Sequence, residues 1–205
     1  MDTVTNTWQS DYRIKGSKFL GYIAPADDKK DAEQVLGTIK FEHPTATHHC
    51  YAYRINPHRP EEFASDDGEP GGTAGLPILN AAKAHDLMNI ILIVVRYYGG
   101  TKLGKSGLID AYGHTAELTI KQAELHQILP IKTFRIVYDY QHQGIIDKMK
   151  NDFTWIELNS TYLEKVTIEC GCPVSEATRF LAEVKKSEHL FDEAEANGET
   201  FHIIK

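Results

Sequence analysis

Two α+β domains in tandem are what this chain of 205 residues predicts, and three observations predict them. Residues 90–95 form a continuous apolar run between two helical patterns, the mark of a strand covered on both faces. After Pro130 the hydrophobic pattern restarts as strand, helix, strand, strand, helix, strand, the order of a split βαβ domain. The restart falls near residues 127–132, which places the domains at 1–130 and 131–205.

The elements follow in order, with none assigned before residue 27. Ala32, Val35, Leu36 and Ile39 recur at the spacing that lines one face of a helix over 28–40, with Asp27 or Asp28 as N-cap. Residues 47–55, rich in Tyr and Thr, read as a strand, and 56–72 as a long polar loop holding three prolines. Thr73 serves as N-cap for a helix over 73–86. Residues 90–98 make the buried strand, apolar except for Arg96, and a glycine-rich turn over 99–107 opens a long helix. On that helix Leu108, Tyr112, Ala116, Ile120 and Ala123 form the inner face.

In the second half Phe134, Ile136 and Tyr138 alternate as a strand, 144–150 makes a short helix, and 153–158 and 162–170 give two more strands. Pro173 suits a first helical turn, followed by the apolar stripe Val174, Ala177, Phe180, Leu181 and Val184. A closing strand covers 201–204, paired through Asn197-Gly198, a strong hairpin dipeptide. This is the ferredoxin-like order.

Composition narrows the class. With 41% hydrophobic and 25% charged residues the mix is globular rather than disordered or fibrous. No apolar run approaches the roughly 20 residues of a membrane span, the first residues carry no secretory pattern, and three cysteines are too few for a disulfide framework. A cytoplasmic protein with no membrane partner is expected. The net charge of −7 disfavours broad duplex-DNA binding while leaving room for a local basic patch.

Several constellations carry chemistry. Gly99-x4-Gly104-Lys105-Ser106 matches the phosphate-binding P-loop pattern between a buried strand and a helix. Hydrolysis, however, calls for a parallel sheet and a Mg²⁺-orienting aspartate, for which Asp139 is the one candidate. An anion site at that helix start, without hydrolysis, fits better. His48 and His49 point to opposite faces of their strand and cannot grip one ion, so no metal site is assigned. Cys170 and Cys172 share the inner face of Val166 and Ile168 and read as small core residues. Arg96, a charge on a buried strand, needs a partner, and Asp66 or Asp67 is expected to supply it and pin the long loop.

Asp66-Asp67-Gly68-Glu69-Pro70-Gly71-Gly72-Thr73-Ala74-Gly75, followed by Val95-Arg96-Tyr97-Tyr98-Gly99-Gly100-x-x-Leu103-Gly104-x-x-Gly107-Leu108-x-x-Ala111-Tyr112, resembles the signature of the YigZ/IMPACT family in its bacterial two-domain form. The resemblance implies an N-terminal domain like the second domain of ribosomal protein S5 and domain IV of elongation factor G. It likewise implies a ferredoxin-like C-terminal domain similar to elongation factor G domain V. For eukaryotic members it implies translational control through competition for the ribosome-associated activator of a kinase that phosphorylates an initiation factor.

The expected function is a non-enzymatic binding and regulatory protein of the translation apparatus, contacting RNA or a ribosome-associated protein and needing no cofactor. Two glycine-rich loops, at Gly72-Thr73 and at Gly99, Gly100 and Gly104, would turn amides and helix dipoles toward phosphates. Lys102, Lys105 and Ser106 border the second loop, Asp66 and Asp67 the first, and Arg96, Tyr97 and Tyr98 complete the candidate binding set. The alternative is an enzyme for a nucleotide or phosphorylated small molecule at the P-loop-like turn, with Asp66 or Asp67 holding Mg²⁺.

Overall fold

The computed structural model describes residues 1–204. It divides into two compact units, Met1–Gln127 and Ile128–Ile204, and the architecture is mixed α+β.

The N-terminal unit runs β1 (Asp2–Thr3), β2 (Trp8–Ile14), β3 (Ser17–Pro25), α1 (Lys29–Glu42), β4 (His48–Ile55), β5 (Glu61–Ser65), α2 (Gly75–Ala84), β6 (Ile90–Tyr97) and α3 (Gly104–Gln122). Its antiparallel sheet has the order β2-β3-β6-β4-β5, with β6 in the middle. Side chains alternate across a strand, so Ile90, Leu92 and Val94 pack with Ile78 and Leu79 of α2 and Leu108 and Tyr112 of α3. Ile91, Ile93 and Val95 pack on the opposite face with Ala32, Leu36 and Ile39 of α1. All six strand residues are fully buried, as the apolar run predicts. Helix α1 starts where the sequence places it, the Asp28 carboxylate accepting from the Asp31 amide at 2.9 Å.

Three local expectations change, and one requirement of the P-loop pattern is missing. The stretch before Asp27 supplies two sheet strands, β2 and β3, joined through Lys15 and Gly16, both at positive φ (47° and 79°). Residues 61–65 are β5 rather than loop, because Phe63 stacks on Tyr53 at 5.5 Å and Arg54 pairs with Glu62 at 3.0 Å across the strands. Thr73 does not cap α2; its hydroxyl donates to the Pro70 carbonyl, and Ala74 occupies the cap. The sheet around the P-loop-like turn is antiparallel, not the parallel sheet which that pattern calls for.

The second unit is built from β7 (His126–Tyr138), α4 (Gln143–Asp152), β8 (Ile156–Tyr162), β9 (Val166–Pro173), α5 (Ala177–Lys186) and β10 (Glu193–Ile204). The first residues of β7 lie in the N-terminal unit, where they pair with β1. The strand order β10-β7-β9-β8 is that of the split βαβ topology. Ile146 and Met149 of α4 and Phe180 and Val184 of α5 cover one face, made of Phe134, Ile136, Tyr138, Val166, Ile168, Cys170 and Cys172.

Three boundaries move here. The hairpin between β8 and β9 falls at residues 163–165, later than expected. Pro173 ends β9 opposite Ile131, and α5 begins only at Ala177. Asn197 and Gly198 lie inside β10, neither with positive φ; the Gly198 carbonyl accepts from Thr133 Oγ1 at 3.0 Å, and pairing with β7 overrides the turn propensity. Among the described residues no helix is long and apolar enough to cross a membrane.

Candidate functional site

Strand alternation decides which of the signature residues meet. At the end of β6, Arg96 points to the α2/α3 face while Tyr97 points to the α1 face, where its hydroxyl bonds His43 Nδ1 at 2.9 Å. Arg96 stands opposite Phe19 of β3 and His48 of β4. Its side chain is buried, and a buried cation persists only when paired.

The partner is Glu69. An Arg96 terminal nitrogen donates to Glu69 Oε1 at 2.5 Å, and the Tyr112 hydroxyl donates to the same oxygen at 2.7 Å. The guanidinium carbon lies 5.4 Å from the ring centroids of both Phe19 and Tyr98. His48 gives Nδ1 to the Asp67 carbonyl at 2.8 Å, leaving Nε2 3.8 Å from Glu69 Oε1. Burial raises the Tyr112 hydroxyl above its ordinary range, next to Cys50 and Glu69. Burial also pushes the Cys50 thiol up to about 12, and its Sγ donates to the Asp66 carbonyl.

Asp66 and Asp67 are therefore not the partners of Arg96. The Asp66 carboxylate accepts from the amides of Gly72 (2.8 Å), Ala74 (2.9 Å) and Gly75 (2.9 Å). Burial opposes its charge, but those three amides outweigh it and lower its pKa. The Asp67 carboxylate accepts from the His49 amide at 2.6 Å. The chain's own carboxylate thus occupies the start of α2, and Gly72 and Thr73 offer no free anion site there.

The second glycine turn differs. Tyr98 and Gly99 spend their amides on Thr47 Oγ1 and Ser17 Oγ. Gly99 crosses Gly16 so closely that an added Cβ would sit 1.9 Å from a backbone carbon. Gly100 and Gly104 then adopt φ of +85° and +73° in open space, and α3 begins with no side-chain cap and no acidic residue in its first turn. Beside this start lies a cleft of about 540 Å³, lined by Arg96, Tyr98, Lys102, Gly104 and Lys105 from the expected set. Gly99, Gly100 and Ser106 shape or flank the turn without lining the cleft.

Glu69, His48 and Thr47 also line it, and none of them belongs to the expected set. The sequence does show a charge on a buried strand and three acids nearby, but not which acid reaches it. Among the described residues no set of three His, Cys, Asp or Glu side chains is placed to hold a metal. Cys170 and Cys172 are buried in the second core, which pushes their thiols up to about 12 and about 11.

Comparison with known proteins places these features in a lineage. Residues 15–120, which hold the paired loop and the turn, match the family model described as Impact N-terminal domain. The chain is 31% identical over 173 residues to "IMPACT family member YigZ" of Escherichia coli (strain K12), covering 83% of this chain and 85% of that one. It is 30% identical over 178 residues to "IMPACT family member YvyE" of Bacillus subtilis (strain 168), covering 87% and 82%. A crystal structure described only as that of a hypothetical protein superposes with a TM-score of 0.66 at 28% identity, over 96% of this chain and 97% of the other. The signature loop, the turn that follows it and this near full-length match give one conclusion: the chain belongs to the IMPACT family.

Proposed function

We propose that this protein is a non-enzymatic binding and regulatory module of the translation apparatus, working in the cytoplasm, and that it contacts RNA through the cleft beside the start of α3. Family membership supports the setting, because the resemblance implies translational control for eukaryotic IMPACT proteins. On this reading the N-terminal unit corresponds to the second domain of ribosomal protein S5, and the C-terminal unit to elongation factor G domain V.

One observation carries the RNA contact. The uncapped start of α3 and the exposed Lys102 and Lys105 share a cleft with Tyr98, which is 45% exposed. Helix amides and lysines suit phosphates, and an exposed aromatic ring suits a base. With a net charge of −7 the whole surface does not attract RNA, so binding is confined to this patch.

Co-sedimentation with ribosomal subunits at graded ionic strength tests the proposal. Wild-type protein pellets at low salt and is released as salt rises. The Lys102→Ala/Lys105→Ala double variant binds less and loses roughly 1.4 from the slope of log K against log salt, as two contacts to single-stranded RNA require. Nuclease treatment frees the protein. An unchanged slope, or retention after nuclease on a ribosome-associated protein, overturns RNA contact through this patch.

A further inference from the structure

We infer that the cleft takes a terminal phosphate monoester of a nucleotide, meaning a nucleoside monophosphate either free or at the end of an RNA strand; this specifies the ligand within the RNA-contact reading and rests on it. Charge comes first. Arg96 and Glu69 neutralise each other at the floor, in direct contact and both nearly excluded from solvent. What then faces the opening is Lys102, Lys105 and the start of a 19-residue helix with no acidic residue in its first turn. A helix start carries roughly half a positive charge, so the unmatched positive charge slightly exceeds two. A phosphate monoester carries about −1.5 to −2 at neutral pH, whereas an internal diester carries a single charge. The monoester is the better match.

A second observation points to a ligand independently of the helix start. The Arg96 side chain is 6% exposed and lines the cleft, yet it reaches Glu69 through a single nitrogen. Its guanidinium carries five donors and spends one of them on Glu69, and buried donors in folded proteins are nearly always satisfied. Tyr98 supplies the wall for a base. Its amide is fixed on Thr47 Oγ1 at 3.0 Å and its ring lies 5.4 Å from the Arg96 guanidinium carbon, leaving almost half of the residue exposed. A volume of about 540 Å³ is of the size that holds one nucleotide unit.

Binding titrations with the full chain test this, using inorganic phosphate, adenosine 5′-monophosphate, and one octaribonucleotide bearing a 5′-phosphate, a 3′-phosphate or hydroxyls at both ends. A phosphorylated end binds about tenfold tighter than the hydroxyl-ended strand, the scale of one charge-assisted hydrogen bond. Lys105→Ala, an exposed position, removes most of that preference. Tyr98→Ala weakens adenosine monophosphate and the oligonucleotides by roughly five- to hundredfold, the range for loss of one stacked base, but leaves inorganic phosphate unchanged. Equal affinity of adenosine monophosphate and the phosphorylated strands identifies a free nucleotide as the ligand; tighter strand binding identifies an RNA end.

Equal binding of phosphorylated and hydroxyl-ended strands overturns the inference. If ribosome co-sedimentation still depends on Lys102 and Lys105 in that case, RNA contact stands and the terminal phosphate alone is rejected. If that dependence is absent too, both fall.

Discussion

Arg96 shows how one residue organises the site. Its charge sits at the end of a strand whose preceding residues are wholly apolar, so Glu69 is held against it and the loop from Asp66 to Gly75 is pinned to the sheet. Breaking such a pair strands a buried charge. Arg96→Ala and Glu69→Ala are each expected to cost about 3–5 kcal/mol. The double variant should cost clearly less than their sum, since the partners are in contact; additive losses in a urea-unfolding double-mutant cycle would reject the pairing. Asp66 gives a pH signature. Three amides hold its pKa below the ordinary carboxylate value, so its contribution is present above the unfolded value and disappears as pH falls through the lower folded value. Asp66→Ala is therefore expected to cost about 1–2 kcal/mol near neutral pH, as loss of a helix cap does. The gap to wild type should begin to close below a pH of about 3.9, the unfolded reference, and vanish once pH is below the lowered folded value. A gap that persists unchanged in acid would contradict this.

Elements record a contest between local signals and pairing. Asn197-Gly198 is a strong turn dipeptide, yet it runs straight through β10 beside β7. Lys15-Gly16, a weaker signal, makes the tight turn between β2 and β3 with both φ values positive. Neither outcome is local: a strand forms where a partner strand offers its free edge. Gly198 lies within β10 without a positive φ and has nothing within 4 Å of an added Cβ. Gly198→Ala should therefore leave stability unchanged or raise it by about 0.5–1 kcal/mol, whereas a positive-φ turn there would make it destabilising. Gly99→Ala should unfold far more easily than wild type, because its Cβ would collide with the backbone of Gly16. Thermal midpoints of the two variants separate these cases. The Gly99 turn is thus defined by a crossing with residues some eighty positions earlier, and no window of sequence around it shows that.

At the scale of the whole molecule, each hydrophobic cluster draws its residues from one unit: two clusters lie within Met1–Gln127 and one within Ile128–Ile204. All three cysteines sit inside these cores with no exposed surface. Burial holds Cys50 and Cys170 at about 12 and Cys172 at about 11, so hardly any thiolate exists at pH 8. A thiol reagent such as 5,5′-dithiobis(2-nitrobenzoate) should leave the native protein unmodified at pH 8 and titrate three thiols after denaturation. Stoichiometric reaction of the native protein would show a cysteine outside its assigned core.

The sequence by itself determined the α+β class, the buried central strand, the helices on either side of it and the split βαβ order after Pro130, because periodicity records which side chains must leave water. It also brought Arg96, Tyr98, Lys102 and Lys105 forward as one candidate set. Only the tertiary structure decided that Glu69 rather than Asp66 or Asp67 meets Arg96, that Tyr97 turns to the opposite face, and that the start of α2 is filled while that of α3 stays open. Those outcomes turn on register between strands distant in the chain, where a shift of one residue sends a side chain to the other side of the sheet.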